Sequence, residues 1–189
     1  MRLEAHVRGS IEEALERMGI PAPDEVPVEV APAAVAELAP EARKAGVRLA
    51  FEAHMRQLTD TLASSLQFLD MTPPDTAGLT IDFSNLSFAG EDLSEVIDVL
   101  KDRTINAHLK NGYVDQTGGG HFKALDDGMT DYERVLPLLR DAGYGGFLAI
   151  ECLGTEAQVR PIETARRDLA ILRRFLDNMG RNNTRDEAP

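Results

Sequence analysis

Gly46-Val47-Arg48-Leu49-Ala50-Phe51-Glu52 is a mainly apolar run that ends on a carboxylate, and three later stretches share its form. Leu79-Thr80-Ile81 leads to Asp82, Ile105-Asn106-Ala107 to His108, and Leu148-Ala149-Ile150 to Glu151. Each reads as a short strand, over residues 47–52, 78–83, 104–109 and 146–151. Helical segments separate them. Residues 55–69 form one, broken by Pro73-Pro74. Asp92-Leu93-Ser94-Glu95 caps a second that runs to about Lys101. Thr130-Asp131-Tyr132-Glu133 caps a third that stops at Gly143. Pro161 opens the last as its first helical residue, and this helix is expected to end before Gly180. Strand and helix thus alternate at least four times. That order predicts parallel strands joined by helices, the α/β class.

The rest of the chain is less regular. Ser10-Ile11-Glu12-Glu13 has the capping-box pattern for a short helix over 11–18, ended by Gly19. Residues 21–32 read as a proline-rich acidic loop, with 26–30 a weak fifth strand. Residues 33–45 read as a helix closed by Gly46. The segment after residue 110 reads as a long loop containing Gly118-Gly119-Gly120, and residues 181–189 as a disordered polar tail. One domain over residues 1–180 follows.

Strands covered on both faces should be nearly all apolar, so four ionisable strand ends need a reason. Side chains alternate faces along a strand. Glu52, Asp82, His108 and Glu151 therefore share one face, and Phe51, Ile81, Ala107 and Ile150 the other. Three carboxylates gathered at the carboxyl ends of parallel strands repel one another unless a cation joins them. Three acidic ligands and one imidazole suit manganese or magnesium and admit zinc or cobalt. Cys152 falls on the opposite phase, so it is expected to pack beneath a helix rather than ligate. His54 is in phase with Glu52 and either contacts substrate or forms a polar strand end. Lys110 is in phase with His108 and either faces solvent or steadies an oxyanion or phosphate. His121 sits in the long loop, as part of a lid or of an ordinary turn.

The bulk numbers narrow the partners. The 189-residue chain carries a formal net charge of −12 and no dense basic patch, which disfavours nucleic acid. Its single cysteine permits no intrachain disulfide and fits a reducing compartment. The first residues lack the apolar run of a signal peptide, and no stretch is long enough to span a bilayer. A cytoplasmic location is the expectation.

At these residues the chain resembles the xylose-isomerase-like TIM barrels, the sugar phosphate isomerase/epimerase superfamily. The resemblance rests on the stretch Gly46 through Ala53-His54, Leu79-Thr80-Ile81-Asp82-Phe83, Ala107-His108-Leu109-Lys110-Asn111, and Gly143-Tyr144-Gly145-Gly146-Phe147-Leu148-Ala149-Ile150-Glu151. Asp127-Gly128 with Asp131-Tyr132 adds to it. Spacings of 30, 26 and 43 residues separate the ligands, and the likeness covers roughly residues 33–176. The resemblance implies a metal site of Glu52, Asp82, His108 and Glu151, with the two glutamates also acting as an acid–base pair. It implies a metal-dependent isomerase or epimerase of small sugar-like substrates that works by proton transfer through an enediolate. A dehydratase on the same scaffold, or a non-catalytic homologue or subunit, is the alternative. Where relatives place a substrate-contacting histidine, this chain has Asn85, which is expected to hydrogen-bond a substrate hydroxyl but cannot shuttle a proton near pH 7. A whole barrel needs about 250 residues. The expectation is a partial barrel of four to five parallel strands lacking the N-terminal ones. Its sheet would be open with an exposed metal face, and it would be completed by self-association or by another chain.

Overall fold

The computed structural model describes residues 30–117 and 119–186. Helix α1 (Val30–Ala45) comes first and is closed by Gly46, whose φ of +67° suits a residue without Cβ. Residues 30–32 therefore open a helix instead of ending a loop. The expected helix over 11–18 and most of the weak strand over 26–30 lie outside the described residues. Then come β1 (Leu49–Glu52), α2 (Leu62–Asp70), β2 (Ala77–Asp82), α3 (Phe83–Phe88), α4 (Leu93–Leu100) and a 3₁₀ turn over Lys101–Arg103. After β3 (Thr104–Leu109) follow β4 (Asn111–Val114), β5 (Gly120–Lys123), α5 (Tyr132–Asp141), β6 (Leu148–Ile150), α6 (Gly154–Val159) and α7 (Pro161–Asp186).

The four alternating strands form one parallel sheet in the order β1-β2-β3-β6, so the sheet order follows the chain. Among the described residues β1 and β6 each have one strand neighbour. This is a partial barrel wall. Ile81, Ala107, Leu79 and Leu109 point away from the ligand face and are fully buried. They meet Phe68 of α2, Val96 and Leu100 of α4, Val135 and Leu139 of α5, and Leu172 and Phe175 of α7 in one core. Burying a side chain such as Ile81 contributes about 1.5–3 kcal/mol. Gly78 lets β3 come close: a Cβ there would lie 2.4 Å from the Arg103 carbonyl oxygen. Below this contact the Arg103 guanidinium donates to the carbonyls of Leu69, Thr72 and Ala77, three acceptors near the end of α2 and the start of β2.

Four local expectations need correction. The helix expected over 55–69 begins at Leu62, because Thr61 and Ser64 form the reciprocal cap that starts it. The long loop is largely an antiparallel hairpin, β4 with β5, pairing Asn111 with Lys123 and Val114 with Gly120. Helix α5 is capped by Asp131, whose carboxylate accepts from the Arg134 amide, and not by Thr130. Helix α7 continues through Gly180 to Asp186, so residues 181–186 of the expected tail are helical. A single interior glycine costs only about 1 kcal/mol.

Candidate metal centre

Each ligand residue reaches the same place for a local reason. Glu52 and Asp82 are the last residues of β1 and β2. His108 stands opposite Asp82 in the β2–β3 register. Glu151 follows β6 directly, and its amide still donates to the Leu109 carbonyl at 2.9 Å. One donor atom from each of the four lies within 4.8 Å of all the others.

Asp82 is fully buried. Its Oδ1 accepts from the Asn85 amide at 2.9 Å, so the carboxylate also caps α3. Its Oδ2 has no directed hydrogen bond. The Lys110 Nζ does lie 2.7 Å from it, which makes the contact an ion pair without good donor alignment. His108 Nδ1 is similar. It lies 3.2 Å from a Glu151 oxygen and 3.5 Å from a Glu52 oxygen, yet it is buried without a well-directed hydrogen bond. Two buried ligand-type atoms thus point into a carboxylate cluster with nothing aligned to satisfy them. That is the fit expected of a divalent-ion site with mostly oxygen ligands.

The charges shift one another. The Glu151 and Glu52 carboxylates outweigh burial and push the His108 imidazole up to about 10. The His108 contact, with help from Lys110, lowers Glu151 to about 2 despite burial. Burial raises the Asp82 carboxyl above its ordinary range, although the Lys110 ammonium pulls it down. Burial depresses Lys110, but Asp82 and then Glu151 outweigh it, and the net shift is upward.

Of the two orientations the sequence allows Lys110, solvent-facing or turned to the site, the structure shows the inward one. Its side chain is 3% exposed, and its Nζ lies 3.0 Å from Glu151 Oε2 and 3.9 Å from Glu52 Oε1. The expected exposed metal face is corrected too. The side chains of His108, Glu151 and Glu52 are only 18–25% exposed, and the buried Lys110 head group lies among them. Phe122 of the hairpin lies over the lysine, with 5.9 Å from Nζ to the ring centre. Asn85 is fully buried. Its side-chain amide donates to the Ala53 carbonyl at 3.1 Å and approaches Glu52 Oε1 at 3.5 Å, so it ties the end of β1 to α3. His54 lies outside the ligand group and contacts the Met55 carbonyl through Nδ1 at 2.9 Å. His121 is at the surface, paired with Asp115 at 2.7 Å. Cys152 faces α7, where its thiol donates to Asp168 at 3.6 Å.

A polar web beneath the site had no role assigned from sequence. The Tyr132 hydroxyl donates to the Lys110 carbonyl at 2.6 Å and lies 3.1 Å from the Lys110 amide, which donates back to it. The Ser84 hydroxyl also donates to that carbonyl and contacts Thr130 at 2.9 Å. Asn111 links Leu125 and Thr130 through its side-chain amide. The only sequence signal was position: Asn111 and Tyr132 stand in the stretches that carry the family resemblance.

Comparison with known proteins bears on the family and the fold. The xylose isomerase-like TIM barrel family model matches residues 19–175. The chain belongs to that family. A curated relative, inosose dehydratase of Lacticaseibacillus casei, is 25% identical over 142 residues, covering 68% of this chain and 48% of that protein. The chain spans about half the length of the curated relatives it matches. The structure of L-ribulose 3-epimerase superposes with a TM-score of 0.68 at 22% identity, covering 89% of this chain and 60% of that one. A xylose isomerase-like TIM barrel protein from Mycobacterium smegmatis, solved in complex with magnesium, gives a TM-score of 0.58 at 24% identity over 72% of this chain and 48% of that one. Among the described residues no helix is long and apolar enough to cross a membrane.

Proposed function

We propose that this chain binds one divalent ion through Glu52, Asp82, His108 and Glu151 and moves a proton at a carbon beside the carbonyl of a small polyhydroxylated substrate. The reaction is isomerisation or epimerisation. The observation that carries this is the convergence of the four ligand atoms within 4.8 Å at the carboxyl ends of four adjacent parallel strands. A bound manganese or magnesium ion supplies the positive charge that offsets negative charge developing on the substrate oxygens.

The chain's own residues do the rest. Glu151, at the end of β6 and facing the other ligands, takes the proton from carbon. Glu52, across the cluster and partly open to solvent, returns one. General acid–base action of this kind is worth roughly 10²–10⁴ in rate. Asn85 holds Glu52 in place and so acts on the substrate through it. His54, at the rim beyond β1, meets a substrate hydroxyl, and the Lys110 ammonium steadies an oxyanion.

The names of the curated relatives favour a second reading, loss of water from an inosose-like ring, which begins with the same proton abstraction. One experiment separates the two. Ketoses and inososes are incubated with metal-loaded protein in deuterated water. Deuterium entering a recovered ketose supports isomerase or epimerase chemistry, and an unsaturated product from the inosose supports the dehydratase. In the first case Glu151→Gln should lose exchange while keeping some metal. No reaction with either class leaves a non-catalytic homologue.

A further inference from the structure

We propose that Lys110 is the resident counter-cation of the Glu52, Asp82 and Glu151 cluster, and that a divalent ion binds by displacing its ammonium. The inference rests on the metal site proposed above and concerns what occupies that site before the ion arrives.

The lysine is built into the cluster. Its carbonyl accepts from the hydroxyls of Tyr132 and Ser84, and its amide donates to Tyr132, so the main chain is fixed on both sides. The Phe122 ring lies over the ammonium, and the residue is 4% exposed. Held in this way, the head group meets Asp82 Oδ2 at 2.7 Å and Glu151 Oε2 at 3.0 Å.

The Asp82 oxygen is one that an ion needs. Asp82 Oδ1 is committed to the Asn85 amide, which leaves Oδ2 for a metal. An ion sits about 2.0–2.6 Å from its carboxylate oxygens. An ammonium 2.7 Å from the same oxygen would then stand against a double positive charge in a poorly hydrated space. One cation must yield. Before metal enters, the lysine neutralises the cluster and lets the carboxylates share a pocket. Metal binding then becomes an exchange of cations, and affinity is lower than the four ligands alone would give.

The test uses the full chain stripped of metal. Manganese is titrated by calorimetry into wild type, Lys110→Met and Lys110→Gln at one pH. Both variants should bind at least about tenfold more tightly than wild type. Stripped variants should also melt earlier, and manganese should restore them. In wild type labelled with ¹⁵N-lysine, the protected Lys110 ammonium resonance should shift or vanish on saturation with magnesium. Variants that bind no more tightly than a binding wild type overturn the lysine's role and leave the metal site standing. If no protein binds manganese, magnesium, cobalt or zinc, the metal site itself is wrong and this inference falls with it. If neither variant folds, an ammonium resonance unmoved by magnesium overturns the proposal on wild type alone.

Discussion

Replacing Asp82 by Asn changes one charge at the most buried ligand and almost nothing else. Asparagine keeps the volume and still caps α3, since its side-chain oxygen can accept from the Asn85 amide as the carboxylate does at 2.9 Å. What is lost is the ion pair with Lys110, 2.7 Å away between side chains 3% and 0% exposed. Breaking a buried pair costs about 3–5 kcal/mol. Two features reduce that cost. Lys110 keeps Glu151 at 3.0 Å, and the desolvation that raises the Asp82 carboxyl is no longer a burden. A loss of about 2–3 kcal/mol in the metal-free chain results. For a domain of this size it lowers Tm by about 4–12 °C. Asp82→Ala should lose about 1 kcal/mol more, because it also removes the cap. Urea unfolding of stripped protein measures both differences, and manganese calorimetry should show affinity collapsing in both variants. Asp82→Asn as stable as wild type, with metal affinity unchanged, would refute the assignment of Asp82 as both ligand and lysine partner.

Three further outcomes follow from the same geometry. Glu151 is lowered to about 2, so its stabilisation of the stripped chain is present above about pH 4.5 and lost as pH falls through 2. His108 is raised to about 10, so its stabilisation is full below about pH 6.5 and lost as pH rises through 10. Stripped protein should therefore be most stable between about pH 4.5 and 6.5 in chemical denaturation, and a maximum above pH 8 would contradict these pairings. Tyr132→Phe takes from the buried Lys110 amide the hydroxyl it donates to, leaves the carbonyl with Ser84, and should cost about 1–3 kcal/mol while also weakening manganese binding; loss of stability alone would confine the tyrosine to a structural part. The edges of β1 and β6 each lack a second strand neighbour among the described residues, and such edges pair readily. Sedimentation should then show a mass above the 20.7 kDa of one chain, and a strict monomer would mean that the edges are covered in another way.

How much of this was legible in the sequence depended on whether a residue broke a rule. Glu52, Asp82, His108 and Glu151 stood out because ionisable residues close apolar strands, and strand phase alone set them on one face. Asp92 and Pro161 marked helix starts through capping and N1 chemistry, which act within one turn. The β4–β5 hairpin was illegible. Asn111-Gly112-Tyr113-Val114 and Gly120-His121-Phe122-Lys123 are short and glycine-bearing, without the apolar alternation of a half-buried strand. For Lys110 the phase was readable and the burial was not. Its burial needs Phe122 above it and Tyr132 beneath, residues 12 and 22 positions further along the chain. The motif position of Asn85 points to a substrate contact. Its tie to Ala53 depends on how β1 and α3 pack, which periodicity does not report.

Metal binding tests the central claim most directly. Calorimetry of the stripped chain with manganese should show about one ion bound per chain, and His108→Ala, which removes the one nitrogen ligand, should abolish the binding. No heat and no thermal stabilisation with manganese, magnesium, cobalt or zinc would contradict the assignment of Glu52, Asp82, His108 and Glu151 as a metal centre.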